Sequence, residues 1–122
     1  MAKILVAEYE PIVRKTIVTV LAKFGYDVAT AANGEEALET ISRESLDLVL
    51  LDGTIGKGAS GIDTCKKIRQ NYSKEDLPII GMSGWGEAYR EKYREAGAND
   101  YLPKPFNIDD LRRTIMRNTI KK

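Results

Sequence analysis

The chain has 122 residues, 43% of them hydrophobic and 30% charged, which leaves room for one domain with a substantial core and none for a second. Its 19 Lys and Arg against 18 Asp and Glu give a net charge of +1, which does not mark a nucleic-acid or membrane-surface footprint, and the lack of histidine excludes histidine-based catalysis and histidine-containing metal sites. The lone cysteine, Cys65, excludes an intrachain disulfide, and no apolar run approaches the roughly 20 residues of a membrane span, so a reducing, cytoplasmic location is the expectation.

Short apolar runs alternate with longer stretches of helical period, the pattern of βα units around a parallel sheet. The first run, Ile4-Leu5-Val6-Ala7, predicts a strand over 3–7 and ends at Glu8. Pro11 then opens a helix carrying Val13, Ile17, Val20, Leu21 and Phe24 on one stripe, and Gly25 closes it. A second strand is expected over 27–31, and Asn33 with Glu36 three residues on marks the start of the second helix. The third strand, 47–51, contains Leu48-Val49-Leu50-Leu51 without alternation, as suits a strand covered on both faces, and ends at Asp52.

The stretch 53–61 is a loop by its glycines, after which Ile62, Cys65 and Ile68 recur at helical spacing as core positions. A fourth strand over 78–82 ends at Ser83, and a fourth helix from about Gly86 to Ala96 is poor in large apolar residues, hence weakly held. Arg90, Lys92 and Arg94 give that helix a solvated basic face. The last strand, 99–102, is followed by Lys104, and Asn107 with Asp110 opens a fifth helix whose inward face is Ile108, Leu111, Ile115 and Thr119.

Neighbouring parallel strands bring their carboxyl ends to one edge, where open α/β sheets place their chemistry. Glu8, Asp52, Ser83 and Lys104 then form a cluster of acid, hydroxyl and ammonium. Each alone has a plainer reading: Asp52 as a turn acid, Ser83 as a cap, Lys104 as a solvated lysine, and Tyr101 as strand packing. Gly56-Lys57 lacks the spacing of a phosphate-binding P-loop, so nucleotide binding is not indicated.

Together the strand-end residues, Ala32-Asn33-Gly34-Glu35-Glu36-Ala37-Leu38, Asp47-Leu48-Val49-Leu50-Leu51-Asp52 and Ala98-Asn99-Asp100-Tyr101-Leu102-Pro103-Lys104-Pro105-Phe106 resemble a response-regulator receiver domain, from Lys3 to about Thr119. The resemblance implies a flavodoxin-like (βα)5 fold of strand order 2-1-3-4-5 and one receiver domain over 1–122. It also implies that Asp52 accepts a phosphoryl group from a histidine kinase or phosphotransfer protein. Lys104 and Ser83 then contact phosphoryl oxygens, Gly84 leaves space for them, and the Lys104–Pro105 bond is cis. Tyr101 is the aromatic that turns inward to re-pose the face of the fourth helix and fifth strand for a downstream partner. No direct role with nucleic acid or membrane is implied.

Mg²⁺ is the implied cofactor, held by Glu8, Asp52 and the Thr54 backbone carbonyl. Here the sequence departs from the family, because Tyr9 stands where a second acid is usual and Gly61 falls one residue late. Two outcomes stay open: Glu8, with Glu10, reaches the metal, or Tyr9 fills the pocket and the domain is a phosphorylation-independent interaction module. A flavin-binding electron carrier on the same sheet order is opposed by the acidic Glu8-Tyr9-Glu10 loop, which has no group to cradle a flavin phosphate.

Overall fold

The computed structural model describes residues 2–53 and 60–119. Strands and helices alternate throughout: β1 (Lys3–Ala7), α1 (Pro11–Lys23), β2 (Asp27–Ala31), α2 (Gly34–Arg43), β3 (Leu48–Asp52), α3 (Gly61–Arg69), β4 (Ile79–Ser83), α4 (Ala88–Ala96), β5 (Asp100–Pro103) and α5 (Ile108–Thr119). The five strands pair in parallel in the order β2-β1-β3-β4-β5. That is the flavodoxin-like arrangement expected.

Alternation along each strand divides the core into two layers. Leu5, Ala7, Val49, Leu51 and Ile79 face α2, α3 and α4 through Ala37, Ile41, Cys65, Ile68 and Tyr93. Ile4, Val6, Leu48, Leu50, Ile80 and Met82 face α1 and α5 through Ile17, Leu21, Leu111 and Ile115. All five residues of β3 are buried, which is why its sequence shows an unbroken apolar run.

The last three strands begin and end one residue later than the apolar runs indicate. The ladder continues into polar residues, pairing Asp52 with Met82 and Ser83 with Pro103. The residues just before the strands brace them from outside: the Asp47 carboxylate accepts from the Lys3 amide at 2.7 Å, and the Asn99 side-chain oxygen accepts from the Ile79 amide at 2.9 Å.

Helix ends follow local chemistry. Pro11 sits in the first turn of α1 and Gly25 follows it with φ of 90°. Asn33 accepts from the Glu36 amide at 2.9 Å, and Asn107 from the Asp110 amide at 2.7 Å. Two expectations need correction. Ile108 is 55% exposed, because it opens α5 on the solvent side, and Thr114 joins Leu111 and Ile115 inside. Helix α4 begins at Ala88, two residues later than expected, and is anchored by the buried Tyr93 and Ala96.

Candidate functional site

The strand order sets β1, β3 and β4 side by side, so Glu8, Asp52 and Ser83 leave the sheet at one edge. Glu8 and Asp52 are almost wholly buried, at 1% and 6% exposure. Lys104 reaches back from the end of β5, held there by its own amide donating to the Ser83 carbonyl at 2.8 Å. Its ammonium donates to Glu8 Oε1 at 2.5 Å and to Asp52 Oδ1 at 3.3 Å. The second Glu8 oxygen accepts from the Glu10 amide at 3.2 Å. Arg14 fixes this corner from α1, its guanidinium donating to the Glu8 carbonyl at 2.7 Å and the Tyr9 carbonyl at 3.2 Å.

Burial raises the Glu8 carboxyl above the usual carboxylate range, and the adjacent Asp52 pushes it the same way while Lys104 pulls it down. Two buried acids therefore share one ammonium.

Ser83 is completely buried, and its Oγ accepts from the Trp85 amide at 2.9 Å, capping the turn after β4. Tyr101, expected to turn inward on switching, already lies inward in the unmodified chain, at 3% exposure, with its hydroxyl 2.7 Å from the Gly86 carbonyl and 3.1 Å from Ser83 Oγ. A carbonyl only accepts, so the single Tyr101 proton goes to Gly86, and the Ser83 hydroxyl is left to donate to the tyrosine oxygen. Gly86 takes φ of 81° to present that carbonyl. Gly84 has open space around the position of a Cβ, so protein atoms do not demand a glycine there.

Tyr9 is 51% exposed and does not plug the pocket; the Lys104 ammonium lies between the two acids instead. Thr54, and with it most of the glycine-rich loop, lies outside the described residues. Trp85 is 66% exposed and stacks on Tyr89 with ring centroids 5.8 Å apart, which makes it a reporter of α4. Of the basic residues on α4, Arg90 lies over the Tyr101 ring at 5.3 Å and Lys92 over Tyr89 at 4.9 Å.

The described residues do not fit the implied Mg²⁺. That ion takes near-octahedral oxygen ligation at about 2.0–2.1 Å, through one or two carboxylates and waters. Both Glu8 oxygens already accept hydrogens from protein, Tyr9 offers only a neutral phenol, and among the described residues no group of three acids is placed to hold a metal ion.

Sequence patterns missed Tyr93, Gly86 and Arg14. The one available signal was Gly81 inside β4, since an isolated strand glycine marks a close approach. Its missing side chain is what admits Tyr93.

A family model described as the response regulator receiver domain matches residues 4–116. The transcriptional regulatory protein PhoP of Bacillus subtilis, named for alkaline phosphatase synthesis, is 39% identical over 106 residues, covering 86% of this chain and 43% of that protein. The chain spans about half the length of the curated relatives it matches. Among solved structures, the response regulator TrrA of Thermotoga maritima, in complex with Mg²⁺ and BeF, superposes with a TM-score of 0.87 at 35% identity, covering 97% of this chain and 99% of that one. The receiver domain of the sensor histidine kinase PA1611 of Pseudomonas aeruginosa, with a magnesium ion in its active-site cleft, gives a TM-score of 0.85 at 31% identity over 95% of both chains.

Proposed function

The chain belongs to the response regulator receiver family, and on that premise we propose that it accepts a phosphoryl group on Asp52 and thereby re-poses the face formed by α4 and β5. A carboxylate oxygen of Asp52 attacks phosphorus, the P–N bond of a phosphohistidine on a histidine kinase or phosphotransfer protein breaks, and the histidine nitrogen keeps the bonding pair. The product is an acyl phosphate. Such a transfer depends on positioning and charge compensation more than on covalent work by other side chains.

Lys104 supplies the compensation. Its ammonium, 3.3 Å from Asp52 Oδ1, is within a small movement of any phosphoryl oxygen attached there. Ser83 supplies the readout. Its hydroxyl is shared with Tyr101 at 3.1 Å, so donating to a phosphoryl oxygen means letting Tyr101 go. Tyr101 then keeps only the Gly86 carbonyl, at the turn that leads into α4. The two states differ by hydrogen bonds that one added group redistributes, which is a population shift. The exposed Trp85 and the Arg90 guanidinium lie on the face this would re-pose toward a downstream protein.

The observation that carries the reading is the convergence of Asp52 and Glu8 on the Lys104 ammonium, with Ser83 at the next strand end. The test is incubation with acetyl phosphate, followed by intact-mass measurement. One phosphoryl adduct is expected, lost in Asp52→Asn. A folded protein that takes no adduct from the small donor or from a phosphorylated kinase would overturn the reading and leave a phosphorylation-independent interaction module.

A further inference from the structure

Tyr93 is the largest completely buried side chain on α4, and its surroundings are made of absences. Its ring lies against Gly81, where a Cβ would come within 2.5–2.6 Å of Cγ, Cδ1 and Cδ2. Its hydroxyl lies 2.2 Å from where a Cβ on Gly61 would stand, and 3.7 Å from one on Gly53. Two glycines, at the middle of β4 and the start of α3, leave the room this phenol occupies, and Gly61 leaves room for the Asp52 carbonyl as well, at 2.1 Å from the same Cβ position.

The hydroxyl donates to the Leu51 carbonyl at 2.9 Å. A buried hydroxyl without a partner is expensive, so this bond fixes where the ring sits. Leu51 O belongs to the planar peptide unit whose nitrogen is that of Asp52, and holding one end of a peptide plane orients the other. The same ring is 5.8 Å from that of Tyr101. A phenylalanine would fill nearly the same volume without gripping the backbone.

We propose that Tyr93 is a positioning residue that ties α4 to the Leu51–Asp52 peptide, a second mechanical link between the acceptor and the helix, separate from Ser83 and Tyr101. Its consequence for signalling rests on Asp52 being the acceptor; the tie itself does not. Movement of the Asp52 backbone is passed to α4 through the phenol.

The test is Tyr93→Phe in the full chain, which keeps the ring and removes only the grip. Amide hydrogen exchange of the unmodified protein is read first. The Gly53 amide donates to Met82 O at 2.7 Å and the Gly61 amide to Gly53 O at 3.1 Å, and both flank the tie. They should exchange about fivefold faster, the equivalent of about 1 kcal/mol for one lost hydrogen bond, while amides in α1 and α5 keep their rates. Tyr101→Phe, the control, should leave Gly53 and Gly61 unchanged. Equal acceleration in every element, or none at Gly53 and Gly61, would overturn the proposal. Acetyl phosphate is then added, and at equal phosphoryl occupancy by intact mass the Trp85 fluorescence response should be weaker in Tyr93→Phe than in the parent. An equal response would overturn the signalling consequence. No adduct in the parent, from acetyl phosphate or from a phosphorylated kinase, would instead refute Asp52 as acceptor, and the exchange result would still decide the tie.

Discussion

Replacing Lys104 by methionine removes the ammonium while keeping most of its alkyl stem. Glu8, at 1% exposure, and Asp52, at 6%, would then face each other without a counter-charge. Breaking a buried pair by deleting one partner costs about 3–5 kcal/mol. Lys104 itself is 22% exposed, and Glu8 can take up a proton, so the lower end, about 3 kcal/mol at neutral pH, is expected. The pH dependence has a definite sign. In the native protein burial first, and Asp52 second, raise the Glu8 carboxyl while Lys104 lowers it; without Lys104 only the raising causes remain. A carboxyl that titrates higher folded than unfolded makes the unfolded state lose its proton first, so stability falls as pH rises from the ordinary carboxylate range through the folded value. The variant should therefore lose more relative to the parent at pH 7 than at pH 5, by urea unfolding, and Glu8→Gln in the same chain should restore much of the loss. A loss below about 1 kcal/mol that is equal at both pH values would refute a buried two-acid, one-ammonium site.

Gly81→Ala should destabilise by about 1–3 kcal/mol, because the new methyl meets the Tyr93 ring, and in a Tyr93→Ala background the same change should cost far less or help; additive losses would contradict the packing. Calorimetric titration with millimolar Mg²⁺ should show no binding by the parent and measurable binding by Tyr9→Asp, which adds a carboxylate beside Glu8; equal binding by both would show that the acids present suffice. Burial pushes the Cys65 thiol up to about 11, so the unfolded thiol ionises first; stability should fall between the ordinary thiol range and that value on alkaline unfolding, and Cys65→Ser should flatten that slope.

The sequence made the βα alternation and the strand-end site visible because both lie in short local patterns. Strand order did not follow from the apolar runs and entered through the resemblance. Boundaries slipped by one residue where a polar residue, Asp52 or Ser83, completes the ladder. The Glu8–Lys104 pair joins residues 96 positions apart, beyond any local periodicity. Tyr93 was hidden for another reason: its burial depends on a side chain that Gly81 lacks, and a helix with few apolar residues gives no hint that one of its tyrosines is completely enclosed. Ile108 misled because the first turn of a helix shares the period of the helix without sharing its neighbours.

The glycine cradle around Tyr93 also imposes an order on how such a pairing arises by single substitutions. A tyrosine appearing at position 93 while position 81 still carries a side chain collides at 2.5 Å with an interior strand of the sheet. A glycine appearing first leaves only a void, which a sheet flanked by packed helices tolerates at moderate cost. The accessible path runs through the smaller residue, and once the tyrosine is in place the glycine is trapped: the two positions have become one inherited unit, although one lies on a strand and the other on a helix.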